Sequence, residues 1–598
     1  MGGLCCCYDP EPGRALAALQ RMIAHTQYRG TATTHAVGNL VLAMQQHRGE
    51  ASLYHDARGT CVLYGHIANR DTLWQQESGD ATDRTDARLL AQLWEQSGEN
   101  TPRVLHGQFA FILYRTDTRT LYLGNSADAT RPLFYHRDGN RLWVGSGARQ
   151  VVAGSSIPEN LDPEGFLRTL LFTQVPNPAV TPYRGVSRCP AGDLLAWHTP
   201  NGRLETVGSH WQPPSGTRQT GKSLEAWAEE LQTRFSAAVA GCLPDWPSAM
   251  LLSGGIDSAS IWCEIQNLKP AQAVQAISLI YPGQANDERD YIYDIHQHCN
   301  SSGTYLDGRD RVPDQHLEKE VSESDYWLWA GSTFQLDQIL EAASRNRLGT
   351  VLTGFGADEW LYSHRGYLAD LFWQGHPLQA LRLALGYQGD RHPRYSSTQL
   401  RRFLGLVFRH PRNRLQQHLR PLSPPQWLAP HWQEAWQTWR QEYLRSQEGL
   451  SLAERQLDDL HKLRRSGVSS DLFEQRVAQA CMDDRHPYLD DRIMSLGFEI
   501  PPQILDREIW KSLQRTAFRH LLPPSVTTRR QATVQDARRT AASLPTLATA
   551  APANWRMVEF SLASEAGLRD WQNRQPRDHM NSQSEFMLCA EMFLRSRY

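Results

Sequence analysis

Residues 251–260 read LLSGGIDSAS. The apolar run AMLL ends in two glycines, two serines and an aspartate, and the helical pattern SASIWCEI follows. Gly254 and Gly255 carry no side chain where a phosphate would approach the backbone, and glycine allows dihedrals that turn successive N–H groups inward. Ser253 and Ser258 add hydroxyl donors. The start of the next helix offers free N–H groups and the positive end of its dipole. Asp257 would repel a phosphate unless a divalent cation lay between them, so it points to Mg²⁺ bridging carboxylate and phosphate. The chemistry expected is the binding and splitting of a nucleoside triphosphate; the bland alternative is a glycine turn of any α/β protein. The spacing is neither that of the lysine-bearing phosphate loop nor that of the dinucleotide fingerprint.

Such a loop needs a strand before it and a helix after it. SAMLLS, QAISLIY and GTVLTG are apolar strands that alternate with helical patterns, which predicts a parallel α/β unit. Upstream, residues 1 to about 205 are mainly β: CVLYGHI, GQFAFILYR, TLYLGN, RLWVGSG and DLLAWH lie between Gly, Asp and Asn turns. QPPSGTRQTGK, at 212–222, has the composition of a linker. Residues 370–450 are rich in Trp, Arg, Leu and Gln at helical spacing and predict a helical insertion.

The chain has 598 residues, 40% of them hydrophobic, with 62 Lys+Arg against 64 Asp+Glu. The length implies more than one domain, and the balanced charge calls for neither nucleic acid nor an anionic membrane. No apolar stretch approaches the ~18 residues of a spanning helix, and the N-terminus lacks signal-peptide character. The 10 Cys have no regular spacing, which fits a reducing, cytoplasmic setting. Cys5, Cys6 and Cys7 are expected in a buried strand rather than a metal site.

S-G-G-x-D-S between strand and helix resembles the pyrophosphate loop of enzymes that split ATP to AMP and pyrophosphate. With TGFGADEW (353–360), RHPYLDDR (485–492) and WKSLQRTAFRHLLPPSVTTRR (510–530), it resembles the synthetase half of the asparagine synthetase superfamily. LHGQFAFILYRTDTRTLYLGNSADATRPLFYHRDGNRLWVGSGARQ resembles that superfamily's amidotransferase half. The resemblance implies an α+β and α/β two-domain protein. An N-terminal Ntn-hydrolase-like αββα sandwich (1–210) and a linker (211–222) precede a HUP-like ATP-pyrophosphatase domain (223–598) with the insertion at 370–450. It implies ATP and Mg²⁺ as cofactors. ATP is expected on Leu252, Ser253, Gly254, Gly255, Asp257, Ser258, Ser278, Thr353 and Gly354, with Asp257 and Asp358 as metal ligands. An alternative for Asp358 is a helix N-cap.

The departures from the family pattern narrow the chemistry. Amidotransferase halves expose a Cys directly after Met; here that residue is Gly2. Their Asn-Gly-Glu motif is matched by Tyr64-Gly65-His66. This half is therefore expected to make no ammonia and to serve as scaffold or peptide-docking surface. Asparagine synthetases carry Glu, and β-lactam synthetases Tyr, where this chain has Phe355. The family's late lysine is missing or shifted, so Lys511 together with Arg529 or Arg530 is expected to stabilise pyrophosphate. Lys511, Arg515 and Arg519 are spaced to share one helix face, toward pyrophosphate or water.

An intact ATP loop without an ammonia source implies another amine. Among relatives of this shape, lasso-peptide macrolactam cyclases fit best, since a peptide needs the larger docking surface that a Trp-rich insertion offers. That resemblance implies a precursor peptide, a leader-binding protein and a leader peptidase as partners, and no nucleic acid or membrane. Rival readings are a β-lactam synthetase-like amide ligase, an ammonia-dependent asparagine synthetase, a tRNA-modifying pyrophosphatase and a non-catalytic scaffold.

Overall fold

The computed structural model describes residues 2–597 except 50, 77–83, 129, 156, 159, 172–175, 214–220, 311–313, 328–332, 363–364, 387–399, 402, 409–422, 466–469, 506–508, 530–549 and 575–581. Most of the expected linker and parts of the expected insertion lie outside the described residues.

The first twelve strands are β1 (Gly3–Tyr8), β2 (Thr31–Val37), β3 (Leu40–Gln46), β4 (Ala51–Asp56), β5 (Gly59–Ile67), β6 (Gly107–Arg115), β7 (Thr120–Asn125), β8 (Phe134–Asp138), β9 (Arg141–Gly145), β10 (Val186–Arg188), β11 (Asp193–His198) and β12 (Arg203–Ser209). They form two antiparallel sheets, in the orders β10-β8-β9-β1-β3-β2 and β12-β11-β7-β6-β5-β4. Side chains alternate across a strand, and β1 shows what that does here. Leu4 and Cys6 pack between the sheets against Val62, Ile112 and Trp197. Cys5 and Cys7 pack outward against α1 (Arg14–His25). The second sheet buries its own outer face against α2 (Asp86–Ser97) through Leu89, Leu90 and Leu93. The result is the expected αββα sandwich. The three cysteines are a fully buried strand, and burial pushes the Cys7 thiol up to about 12.

The remaining strands are β13 (Ser248–Leu251), β14 (Val274–Ile280), β15 (Gly303–Asp307), β16 (Thr350–Leu352) and β17 (Asp483–Arg485). They form a parallel sheet in the order β15-β14-β13-β16-β17. One face packs on α3 (Leu224–Cys242) and α4 (Ile256–Leu268) through Trp227, Leu231, Ile261 and Ile265. The other packs on helices Thr333–Arg345 and Asp471–Gln479. The strand order reverses at β13, and in open α/β sheets ligands bind outside the carboxyl ends of strands at such a point.

Within the insertion, Trp436 and Trp439 are buried in a core shared with Trp327 and Trp555, whereas Trp373 is half exposed. No helix among the described residues is long and apolar enough to cross a membrane.

Buried ion pairs join the sandwich to the parallel sheet. Arg29 meets Glu474 at 2.7 Å, Arg131 meets Asp484 at 2.8 Å and Asp483 at 3.1 Å, and Arg188 meets Asp471. A charge stripped of water survives only when paired, so these contacts tie the two halves in one arrangement.

Candidate active site

The carboxyl ends of β13, β14 and β16 converge. Leu251 pairs with Ile277 and Met250 with Leu352, so Leu252, Ser278 and the 353–358 loop lie side by side. The loop after β13 closes on itself: Ser253 N–H donates to Ser258 Oγ at 3.0 Å, and the two hydroxyls lie 2.9 Å apart. The glycines act differently from the expectation. Gly255 has φ −83°, and Gly254 also stays out of the positive-φ region. What Gly254 supplies is space, because an added Cβ would lie 2.8 Å from Tyr291 Cβ and 2.9 Å from Glu288 Cβ. Gly354 is also a close-approach residue, its added Cβ lying 3.3 Å from Asp257 Cβ.

Two carboxylates and an ammonium group sit at the mouth of this loop. Lys511 Nζ donates to Asp257 Oδ2 and, at 2.7 Å, to Asp358 Oδ1; Gln514 Nε2 donates to Asp257 Oδ1 at 2.8 Å. Burial opposes the charge on Lys511, but Asp257 and Asp358 outweigh it and raise its pKa, so the ammonium is held charged. Lys511 has a left-handed backbone, φ 57°, which is strained for a residue with a Cβ.

That geometry corrects two expectations. The helix begins at Ser512, so Lys511 precedes it and shares no face with Arg515 and Arg519. Arg515 turns inward to donate to the Thr527 and Arg529 carbonyls, at 2.7 Å for the latter, while Arg519 is exposed. Asp358 is not the N-cap either. Gly356, φ 105°, takes that position before helix Ala357–Trp360 and leaves the Asp358 side chain for Lys511.

Arg529 reaches the loop from the other side. It donates to the Gly254 carbonyl at 2.9 Å, meets Glu288 at 2.8 Å, and lies 4.1 Å above the Tyr291 ring. Arg530 lies outside the described residues. Glu288 also accepts the Gly254 N–H at 3.1 Å, so a carboxylate occupies the spot where an anion would meet both the loop and Arg529. Ser278 is buried and its hydroxyl has no partner among the described residues. Thr353 points its hydroxyl at His486 Nδ1, 2.6 Å away. Glu288, Gln514 and His486 escape a sequence reading, because lone polar residues inside helical or loop patterns carry no spacing signal.

The hard oxygens of Asp257 and Asp358 suit Mg²⁺, and burial, working against the pull of Lys511, raises the Asp257 pKa in the absence of a cation. Among the described residues no three His, Cys, Asp or Glu side chains converge as a ready-made metal cage. Mg²⁺ bound through two carboxylates would take its other ligands from phosphate and water.

The corresponding region of the sandwich is closed. An added Cβ on Gly2 would lie 2.7 Å from the Gln45 carbonyl oxygen and 2.9 Å from Ala51 Cβ. Tyr64 is buried and donates to the Pro132 carbonyl at 2.9 Å. His66 lies against Cys242 of α3, and burial with Arg485 and Arg131 nearby holds its pKa well below the ordinary value.

The asparagine synthase family model matches residues 230–594, and the glutamine amidotransferase domain model matches residues 1–207. The chain is 28% identical over 202 residues to amidase chyE of Penicillium rubens, covering 33% of this chain and 29% of that one. It is 26% identical over 218 residues to the glutamine-hydrolyzing asparagine synthetase of Asparagus officinalis, covering 36% and 31%. The chain thus spans about a third of the length of these curated relatives. Among solved structures, glutamine phosphoribosylpyrophosphate amidotransferase from B. subtilis covers 51% of this chain and 90% of its own, at 11% identity and a TM-score of 0.26.

Proposed function

The chain belongs to the asparagine synthase family, and from that premise we propose that it forms amide bonds at the expense of ATP, as a cyclase that closes a peptide macrolactam. The observation that carries the reading is a contrast inside one chain. The position after Met is sealed against any side chain, while Lys511, Asp257 and Asp358 stand assembled beside a loop of phosphate-binding type.

ATP would lie along Leu252–Ser258, with Ser278 and the 353–354 backbone beside it. A side-chain Asp or Glu carboxylate of the peptide attacks the α-phosphorus, the bond to the β-phosphate breaks, and pyrophosphate leaves. Lys511 and Arg529 stabilise the charge that grows on the leaving group, where preorganised donors act most strongly. Asp257 and Asp358 would hold Mg²⁺, which supplies charge neutralisation when bound. The peptide's α-amine then attacks the acyl carbon, the bond to AMP breaks, and the amine's proton passes to water. An α-amine has a reference pKa of about 8, so a neutral fraction exists without a strong base. Phe355 needs no proton-accepting role, and holding both ends of one peptide supplies much of the rate. A leader-binding protein and a peptidase would present the freed peptide.

The test is incubation with ATP, Mg²⁺ and a synthetic peptide that has Gly first and Asp or Glu seven to nine residues on. Loss of one water from the peptide with release of AMP supports the cyclase. Asparagine formed from aspartate and ammonium instead supports an ammonia-dependent synthetase, for which the same Lys511 cluster would serve. Glutamate released from glutamine overturns the reading of the first half.

A further inference from the structure

A buried chain of hydrogen bonds runs from the sandwich into the loop beside the ATP site. Arg131 donates to Asp484 Oδ1 at 2.8 Å and to the Asp484 carbonyl at 2.6 Å. Asp484 Oδ2 lies 2.8 Å from His486 Nε2, and His486 Nδ1 lies 2.6 Å from Thr353 Oγ1. Thr353 Oγ1 accepts the Phe355 N–H at 3.2 Å. Gln108, also from the sandwich, accepts the His486 N–H at 3.0 Å. Arg131, Gln108, Asp484, His486 and Thr353 are all buried.

The direction of these bonds follows from the groups. A carboxylate beside Nε2 puts the ring proton there, leaving Nδ1 to accept from the Thr353 hydroxyl. That hydroxyl in turn receives the Phe355 N–H. Burial works against the Asp484 charge, but the Arg131 charge, with the hydrogen bond from His486, outweighs it and holds its pKa down at about 2. The carboxylate therefore stays an acceptor under any working condition. Both nitrogens of His486 are used, and only one ring orientation satisfies them.

We propose that Arg131, Asp484, His486 and Thr353 form a positioning relay that sets the 353–358 loop for Mg·ATP. The first half of the chain thereby becomes part of the adenylation site, not a spent scaffold. The consequence for the site is geometric. Gly354 lies against Asp257, and Asp358 shares Lys511 with Asp257. A shift of the loop by a fraction of an ångström disturbs both carboxylates. Among the described residues the network is satisfied except at Arg131 Nε, and a buried polar network satisfied at its other members favours one arrangement.

The inference rests on the ATP-dependent reading, so its test carries two readouts on the full chain. Hydrogen exchange at residues 353–358 reports the loop without ligand, and calorimetry with Mg·ATP reports the site. Thr353→Val keeps the side-chain shape and removes the hydroxyl. It should speed exchange at Phe355 and its neighbours and weaken Mg·ATP binding, each by about tenfold, the scale of one hydrogen bond. Thr353→Ser should recover most of that loss, which a mere packing role would not allow. His486→Asn should resemble Thr353→Val, and Arg131→Lys should show the same change more weakly. Exchange and affinity like those of the parent chain in Thr353→Val and His486→Asn would overturn the relay. Failure of the parent chain to bind Mg·ATP would instead sink the ATP-dependent reading, with the exchange data still deciding the relay.

Discussion

Gly2 stands where the amidotransferase pattern places its Cys and Gly254 lies in the loop after β13, and both lack room for a side chain. What surrounds them differs. Gly2 is enclosed by the Gln45 carbonyl and Ala51, with Arg29 donating to its own carbonyl at 2.8 Å. Gly254 is enclosed by Glu288, Tyr291 and Arg529, and Lys511, Asp257 and Asp358 lie beyond. These latter charges pair chiefly with one another at a loop mouth, where an incoming phosphate and cation would replace one partner by another. Around Gly2 stand sheet backbone, Ala51 and the Arg29 guanidinium, which is itself committed to buried Glu474. A family fold thus persists in both halves, and under the proposed function the half with paired charges at its loop is the one that would act on ATP.

The largest effect should come from the junction between the halves. Arg131→Met leaves buried Asp483 with Arg485 alone and buried Asp484 with His486 alone, and removing one partner of a buried pair costs about 3–5 kcal/mol. Calorimetric or denaturant unfolding should register that loss. An unchanged midpoint would mean that the Arg131 pairs add nothing to what holds the halves together. Next comes the loop mouth. Lys511→Met should lower AMP formation by about 10²–10³-fold, the usual scale for losing one preorganised charge donor, with a smaller loss of stability than at the junction because one of its two partners, Asp358, is exposed. If both variants lost stability and neither lost turnover selectively, the contrast between junction and site would fail.

Much of this contrast was legible beforehand, and its gaps have physical causes. β6, β7 and β11 coincide with the apolar runs GQFAFILYR, TLYLGN and DLLAWH because hydrophobic side chains drive both the pattern and the strand. β17 is Asp-Asp-Arg, fully buried, and no hydrophobic periodicity can reveal it. It is buried because Arg131 arrives from more than three hundred residues away to neutralise it. The strand–loop–helix setting of the serines, glycines and aspartate is readable because their spacing is local. Gln514 and His486 were not, since each matters only through a partner brought in by the fold. Lys511 was picked out, yet its setting on a helix face was wrong, because a repeat of four residues says nothing about where a helix starts.

The junction also makes a pH-dependent prediction. Asp471 is buried beside Arg188, and burial, with Glu474 and Asp325 nearby, outweighs the arginine and raises its pKa to about 6. The unfolded value is about 3.9, so the folded chain holds this proton more tightly. The stability it contributes is complete below pH ~4 and is lost as pH rises through ~6. Asp471→Asn should therefore lack a gain that the parent chain shows on going from pH 7 to 4. At about 1.4 kcal/mol per unit, that gain is ~3 kcal/mol at most. Parallel stability curves for the two proteins would show that Arg188 dominates and that the carboxyl is not raised.

The smallest effect bears on the comparison most directly. Gly2→Cys restores the residue type that the amidotransferase pattern places after Met. In this chain its Cβ would meet the Gln45 carbonyl and Ala51. Overpacking of that kind typically costs about 1–3 kcal/mol. The thiol would also lack its setting, for His66 is turned against Cys242 instead of serving a glutamine amine, and Tyr64 spends its hydroxyl on Pro132. Glutamate release from glutamine should stay at background while the unfolding midpoint falls slightly. If the variant hydrolysed glutamine, the closure around Gly2 would be the loss of a single atom group rather than of a site. The sandwich would then be one substitution from function, and the distinction between exchangeable and fixed surroundings would lose its force.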